Sequence, residues 1–278
     1  MESIVSTRWV LARMYEPEMV IVDCRFLLSD PGAGLAAYTK DHIPGAIYLH
    51  LEEQLSAPVG KHGGRHPLPD ALQLAKTLSK VGINNNSNVV AYDDQGGAYA
   101  SRLWWLMRYL GHEHVYVMDE GYSAWKNAKF PVSDHQAVRI PSSFEANIQQ
   151  DMVVGVEDVQ KVVVYGGPLI IDSRESRRYL GLEEPIDAKA GHIPGAINKF
   201  WKDVLDEQGR WKKTDALKEQ FAEIDPEQEI IVYCGSGVTA CPNVLALTQA
   251  GYKNVKLYAG SWSDWISYGE NPVVTGEE

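Results

Sequence analysis

The chain repeats itself once, and this duplication limits the folds that it can adopt more than any other feature. Four segments recur in the same order in both halves: HIPGAI at 42–47 and 192–197, IVDCR at 21–25 and IIDSR at 170–174, NVVAYDDQGG at 88–97 and EIIVYCGSGV at 229–238, and, more loosely, 121–132 and 261–273. Only two copies occur, and they are far apart. The pattern therefore predicts a duplicated domain and not a solenoid.

Each copy is predicted to be an α/β domain with a mainly parallel sheet and helices on both faces. Short apolar runs such as IVD and IIVY are typical of strands buried on both sides. Helical stretches alternate with them, and Asp70 and Asp215 are expected to cap two of these helices. The polar segment 133–143 is expected to be a linker. The predicted domains are residues 1–135 and 140–278.

The composition narrows the classes of function. The formal net charge of −11 argues against a nucleic-acid-binding protein, because such proteins meet phosphates with Lys and Arg. No run approaches the ~18 apolar residues of a membrane span, and the first residues lack a signal-peptide pattern, so a cytoplasmic protein is expected. The three cysteines form neither a disulfide framework nor a zinc pattern. No metal or cofactor is expected.

The two copies differ at one chemically important position. Asp93 in the first copy aligns with Cys234 in the second, so only the second copy offers a thiol there. Cys234 follows an apolar strand and begins the loop CGSGVTA, after which a helix is expected from about Ala240 to Gly251. Loop N–H groups and the helix N-terminus would favour a thiolate at Cys234. Cys24, in a predicted strand, and Cys241, in the predicted helix, are expected to be buried and unreactive.

These motifs together resemble the tandem-domain rhodaneses, which comprise the thiosulfate and 3-mercaptopyruvate sulfurtransferases. The resemblance covers essentially the whole chain. It implies an inactive N-terminal domain and a catalytic C-terminal domain in which Cys234 carries sulfane sulfur as a persulfide. The donor would be a small anion, and the acceptor would be cyanide, a thiol or a thioredoxin-like protein.

The resemblance also implies which residues bind the anionic donor. Arg178 matches the substrate-binding arginine of the family, and the 63–69 loop supplies Arg65 and His66. The remaining predicted binding residues belong to the loop after the nucleophile: Gly235, Gly237, Val238 and Thr239. Arg174 is expected to be structural, and Arg102 is a weaker candidate for anion binding.

The preferred donor stays open at this point. Ser236, predicted to be catalytic, would act with His66 and Glu52 as in the mercaptopyruvate enzymes, although Glu52 replaces the usual aspartate. Asp187 argues the other way, because it stands where those enzymes can carry a second arginine for the substrate carboxylate. We expect a preference for mercaptopyruvate with measurable thiosulfate activity.

Two other functions fit parts of the pattern. Cysteine-dependent phosphatases resemble rhodanese-like domains but need an arginine six residues after the cysteine, where this chain has Ala240. A persulfide carrier without small-molecule turnover would use the same loop as the enzyme.

Most of the eight tryptophans, including Trp104, Trp105 and Trp125, are expected to pack in the core, while Trp201 and Trp262 are candidates for lining the pocket.

Overall fold

The computed structural model describes residues 3–277, so the outermost residues of the two predicted domains, 1–2 and 278, lie outside the described residues. The chain forms two compact units. Unit 1 comprises residues 3–57, 69–149 and 205–211, and unit 2 comprises 58–68, 150–204 and 212–277. Each unit thus includes a short segment from the other half of the sequence. The predicted boundaries, 1–135 and 140–278, stay a prediction.

Unit 1 has a five-stranded parallel sheet in the order β1-β5-β4-β2-β3. Its strands are β1 (Ile4–Val5), β2 (Met19–Asp23), β3 (Ile47–Tyr48), β4 (Asn88–Tyr92) and β5 (Val115–Met118). Its helices are α1 (Thr7–Arg13), α2 (Ala33–Lys40), α3 (Ala71–Lys80), α4 (Ala100–Tyr109) and α5 (Gly121–Asn127). All of β2 is buried, as expected of a central strand with both faces covered.

Unit 2 repeats this topology with the order β6-β10-β9-β7-β8, again all parallel. Its strands are β6 (Val153–Val154), β7 (Leu169–Asp172), β8 (Ala196–Asn198), β9 (Ile230–Tyr233) and β10 (Val255–Tyr258). Its helices are α6 (Val156–Tyr165), α7 (Ser176–Tyr179), α8 (Thr214–Gln220), α9 (Cys241–Ala250) and α10 (Ser261–Trp265), with 3-10 turns at Gln150–Met152 and Trp201–Val204. The predicted fold class, two duplicated α/β domains, is confirmed.

The repeated HIPGA motif is structural in both units. The ring of His42 stacks on Tyr38 with centroids 4.1 Å apart, and its Nδ1 lies 2.7 Å from the Tyr38 carbonyl oxygen. His192 and Tyr179 repeat the pair at 3.8 Å and 2.8 Å. The two histidines are buried, and the apolar residues Ile43, Ala46, Ile193 and Ala196 of the two motifs belong to the hydrophobic cores.

Several local expectations are settled by the structure. Asp70 caps α3 by accepting the Gln73 N–H at 2.9 Å, as predicted. The expectation for Asp215 is wrong, because α8 begins at Thr214 and Asp215 lies within its first turn, where it only complements the helix dipole. Segment 133–143 contains no helix or regular strand. Within residues 3–277, no helix has both the length and the apolar character to cross a membrane.

The tryptophans mainly fill the cores. Trp104, Trp105 and Trp125 are buried in unit 1, which confirms their expected packing role. Trp262 is fully buried in unit 2, and its ring centroid lies 4.5 Å from the Arg174 guanidinium carbon. It is therefore a core residue and not an exposed pocket wall. Removing such a side chain typically costs about 3–5 kcal/mol of stability.

Candidate active site

Cys234 begins the loop that joins β9 to α9 in unit 2. The strand ends at Tyr233 and the helix starts at Cys241, with Pro242 in its first turn and Gly251 in the left-handed conformation at its end, as predicted. Carboxyl ends of parallel strands are where open α/β folds bind ligands. Cys234 is 1% exposed, so its side chain lies in a desolvated environment.

The first residues of α10 hold the backbone of Cys234. Its N–H donates to Ser261 Oγ at 3.1 Å, and its carbonyl accepts the Trp262 N–H at 3.0 Å. The next carbonyl, that of Gly235, accepts the Ser263 N–H at 3.0 Å. Ser261 has a φ of +58°, which costs a residue other than glycine roughly 1 kcal/mol or more. This strain is tolerated at the position that accepts the hydrogen bond from the Cys234 backbone.

Gly237 is required by the shape of the loop. Its φ is +74°, and a Cβ built on it would lie 2.1 Å from the Ala259 carbonyl oxygen. No side chain fits such an approach. Gly96 occupies the equivalent place in the unit 1 loop and also has a positive φ, of +69°.

The equivalent loop of unit 1 surrounds a carboxylate with N–H donors. Asp93 Oδ1 accepts the N–H groups of Gln95 and Gly97, both at 2.9 Å. Its Oδ2 accepts those of Tyr99 and Ala100 at 2.8 and 2.9 Å. Burial raises the pKa of Asp93, while these four donors act to lower it. In unit 1, the backbone of this loop thus converges on the Asp93 carboxylate.

A tryptophan lies against the unit 1 loop. A Cβ built on Gly97 would be 3.0 Å from the Trp211 indole nitrogen, and the backbone N–H of Trp211 donates to Asp119 Oδ1 at 2.6 Å. Trp211 is 3% exposed. In unit 1 the loop therefore carries its own anion and lies against an indole ring.

Two arginines and two carboxylates lie beside Gly235 in unit 2. Arg178 donates to Glu184 through Nε and Nη2, at 2.7–3.1 Å, and to Asp187 Oδ2 through Nη2 at 2.9 Å. Arg65 Nη1 donates to the other oxygen of Asp187. A Cβ built on Gly235 would lie 2.9 Å from Arg65 Nη2 and 3.6 Å from Arg178 Nη2. Both guanidinium groups therefore adjoin Gly235, the residue that follows Cys234.

Arg65 also interacts electrostatically with Cys234. Burial lowers the pKa of Arg65, and negative charge on Cys234 opposes that effect. Its backbone N–H donates to Ser263 Oγ at 3.1 Å, and the preceding Gly63 N–H donates to Asp264 at 2.7 Å. Segment 58–68 is therefore fastened to the first turn of α10 in unit 2.

His66 and Ser236 form a buried hydrogen-bonded pair. His66 Nδ1 lies 2.7 Å from Ser236 Oγ, and the two residues are 3% and 6% exposed. Ser236 is two residues from Cys234 in the same loop. The structure thus brings together Cys234, Ser236, His66, Arg65 and Arg178, as the sequence predicts.

Comparison with known proteins decides the family. The rhodanese-like domain family matches residues 6–128 and 156–268. The probable 3-mercaptopyruvate sulfurtransferase of Pseudomonas aeruginosa is 41% identical over 279 residues, which cover 99% of this chain and 98% of that protein. The chain belongs to the rhodanese-like family.

Two further rhodanese relatives agree with this assignment. The thiosulfate sulfurtransferase of Rattus norvegicus is 30% identical over 277 residues, covering 95% of this chain and 92% of that protein. The crystal structure of a 3-mercaptopyruvate sulfotransferase from Escherichia coli aligns with a TM-score of 0.83 and 32% identity, over 95% of this chain and 100% of that chain. The protein is a sulfurtransferase of the rhodanese type.

Two predicted site residues of this rhodanese contribute to the shape of the loop. Val238 is buried, and its carbonyl accepts the Cys241 N–H at 3.1 Å, so it helps to start α9. Thr239 is half-buried in the same loop. Cys241 itself is buried, and its thiol lies 3.4 Å from the Gly237 carbonyl oxygen.

Three other candidates lie in different surroundings. Arg174 is 2% exposed and binds Asp172 at 2.6 Å, which fits its expected structural role. Arg102 is fully buried in unit 1, where its Nη2 lies 3.5 Å from the Leu55 carbonyl oxygen. Glu52 is exposed in a turn of unit 1, and its N–H donates to His50.

Cys24 follows β2 directly, one residue later than the strand in which it was expected. It is 2% exposed, and its pKa is raised well above the ordinary value by burial and by the charges of Asp23 and Asp93. A neutral thiol is a poor nucleophile. Cys24 and Cys234 are thus both buried, but carboxylates act on Cys24 whereas Arg65 interacts with Cys234.

Sequence reasoning missed two contributors to this site. Ser261 stands at the position of Gly121 in the first copy, and Gly121 has a φ of +74°. The replacement of a glycine by a serine at this position could have pointed to Ser261 from the sequence. The sequence identified Asp187 only as a residue that stands where mercaptopyruvate enzymes can carry an arginine for the substrate carboxylate. Its simultaneous contact with Arg65 and Arg178 depends on residues far apart in the sequence.

Proposed function

We propose that Cys234 is the nucleophile of this sulfurtransferase and carries the transferred sulfur as a persulfide. The observation that supports this most directly is the Asp93 loop of unit 1, where four N–H groups converge on a buried anion. The Cys234 loop has the same length and a glycine of the same conformation. The same backbone arrangement would stabilise a thiolate and then the larger persulfide anion.

With thiosulfate, the reaction is a double displacement. The Cys234 thiolate attacks the outer sulfur, the S–S bond of the donor breaks, and sulfite leaves with the bonding electron pair. The product is a Cys234–S–S⁻ persulfide. A nucleophilic acceptor then attacks the outer sulfur and releases the Cys234 thiolate. Cyanide, for example, becomes thiocyanate.

With 3-mercaptopyruvate, the same attack breaks a carbon–sulfur bond. The electron pair goes to the carbon, which gives the enolate of pyruvate, and the proton of the donor thiol ends on that carbon. Ser236 and His66 lie 2.7 Å apart in hydrogen-bond contact and belong to the catalytic loop and to segment 58–68. A positioned hydroxyl and imidazole suit proton transfer at this step. This pair supports mercaptopyruvate as the preferred donor, with thiosulfate as a slower one.

Arg178 and Arg65 would bind the negative groups of the donor. Both guanidinium groups adjoin Gly235, so they lie next to the nucleophile and not at a remote surface. Arginine forms strong bidentate contacts with carboxylate and sulfonate-like oxygens. The proposed binding set also includes His66 and the loop residues Gly235, Gly237, Val238 and Thr239.

The proposal also covers the sulfur acceptor and the cellular location of the protein. We infer that the acceptor is a small thiol, cyanide or a thioredoxin-like protein, because each offers a nucleophile that attacks sulfane sulfur. All three cysteines are free thiols, which suits a reducing compartment such as the cytoplasm. The net charge of −11 favours neither nucleic acid nor an anionic membrane surface as a partner.

Steady-state sulfur transfer with thiosulfate and with 3-mercaptopyruvate, on the wild type and on Cys234→Ser, tests the function. The wild type should turn over both donors, with a higher kcat/KM for mercaptopyruvate. Cys234→Ser should lose at least about 10³-fold in kcat with either donor. A wild type that forms the persulfide but does not turn over small donors would be a carrier and not an enzyme. Activity that survives in Cys234→Ser would overturn the assignment of the nucleophile.

A further inference from the structure

Asp187 joins the two arginines that adjoin the nucleophile. One carboxylate oxygen accepts from Arg65 Nη1, and the other accepts from Arg178 Nη2 at 2.9 Å. The Asp187 side chain is 4% exposed, and its backbone N–H donates to Glu184 Oε1 at 3.0 Å. These contacts hold the Asp187 carboxylate in place with both of its oxygens engaged by cations.

The carboxylate also lies close in space to the loop that begins at Cys234. A Cβ built on Gly235, the residue after Cys234, would be 3.7 Å from Asp187 Oδ2. The same point is 2.9 Å from Arg65 Nη2 and 3.6 Å from Arg178 Nη2. The anion-binding cations and the Asp187 carboxylate thus share one small volume beside the loop.

The arginine and carboxylate side chains in this volume balance in charge before any donor binds. Three arginines contact three carboxylates here: Arg65, Arg174 and Arg178, with Asp172, Glu184 and Asp187. The loop CGSGVTA contributes no charged side chain other than the proposed Cys234 thiolate, which adds one negative charge. A donor with two negative charges would therefore bring excess negative charge next to a buried carboxylate, where charge interactions are weakly screened.

We propose that Asp187 is a specificity-determining residue that disfavours dianionic sulfur donors relative to monoanionic ones. Its carboxylate is an internal anion that already contacts Arg65 and Arg178, the cationic groups of the donor site. A monoanion can share these arginines with Asp187, whereas a dianion must displace the carboxylate or bind beside it. This inference rests on the proposed function, since it assigns the donor class for the same site.

The test compares thiosulfate, a dianion, with 3-mercaptopyruvate, a monoanion, at fixed ionic strength. Asp187→Asn should lower the KM for thiosulfate by about tenfold and change the KM for mercaptopyruvate by only about twofold, because one unit of buried negative charge is removed. Glu183→Gln is the matched control. It removes the same charge from the same loop, at an exposed pair with Arg177, and should leave both KM values unchanged.

Equal effects on the two donors, or a rise in both KM values, would overturn the inference, because Asp187 would then only orient the arginines. Inhibition of the wild type by pyruvate and by sulfate measures the same preference without a substitution, in case Asp187→Asn folds poorly. Pyruvate should inhibit at the lower concentration, and the reverse order would also overturn the inference. A wild type that forms no persulfide at Cys234 contradicts the proposed function itself, whereas persulfide formation with an unchanged donor ratio in Asp187→Asn contradicts only this inference.

Discussion

Asp93 and Cys234 begin loops of equal length after equivalent strands, and in unit 1 the Asp93 carboxylate receives four backbone N–H groups. In the first copy, four N–H groups therefore surround the Asp93 carboxylate. We propose the same arrangement around the thiolate and persulfide anions of Cys234. We propose that the two copies share this loop backbone and differ in the anionic group that it stabilises.

Asp93→Ala should lower the free energy of unfolding by about 3 kcal/mol or more, because buried N–H donors lose their acceptor. Asp94→Ala is the matched control. Asp94 is exposed, and its carboxylate accepts hydrogen bonds from the N–H and hydroxyl groups of Ser123. Its loss should therefore cost about 1 kcal/mol or less. Urea unfolding of both variants provides the measurement, and equal losses would show that the Asp93 loop does not depend on its anion.

Arg178→Ala should raise KM for both donors by at least about tenfold with a smaller change in kcat, because a charge-assisted contact to the donor is lost. Arg177→Ala is the neighbouring control, since Arg177 is exposed and pairs with Glu183, and its kinetics should match the wild type. Melting curves identify any loss caused by unfolding. An unchanged KM in folded Arg178→Ala would remove this arginine from the donor site.

Ser236→Ala should lower kcat for mercaptopyruvate by about 10- to 100-fold, because the hydroxyl that pairs with His66 is proposed to assist proton transfer to carbon. Thiosulfate needs no such proton, so its kcat should fall by no more than about threefold. The two donors serve as controls for each other in parallel assays. A similar loss with both would assign Ser236 to the shape of the loop and not to proton transfer.

Cys24 should resist alkylation in the native protein up to about pH 9. Burial and the nearby carboxylates raise the pKa of its thiol, so the neutral form persists at a pH where an ordinary cysteine is ionised. Native Cys234→Ser protein, treated with iodoacetamide across a pH series and digested for mass spectrometry, gives the measurement. Unfolded protein is the positive control. Native modification that rises near pH 8, as for a free thiol, would contradict the shift.

Features fixed by local patterns were predictable from the sequence. The apolar runs predicted the strands, and the duplication predicted that both sheets share one topology. The alignment of Asp93 with Cys234 correctly predicted that both residues begin equivalent loops after equivalent strands. Gly237 was also readable, since a glycine-rich turn after a strand indicates backbone that no side chain fits.

Features that depend on distant contacts were not predictable in this way. Segment 58–68 supplies Arg65 and His66 to unit 2 although it lies in the first half of the sequence. The sequence alone therefore indicated that these residues bind anions but not which residues they contact. The same reason hid the bridging position of Asp187. The structural use of HIPGA was not predicted, because the tyrosines on which its histidines stack lie outside the motif.

The most direct test of this account is mass spectrometry of the protein after reaction with 3-mercaptopyruvate or thiosulfate in the absence of an acceptor. We expect the mass of one added sulfur atom on the peptide that contains Cys234, none on those that contain Cys24 or Cys241 alone, and its loss when cyanide is added. Added sulfur on another cysteine, or none on any, would contradict the claim that the Cys234 loop stabilises a persulfide anion.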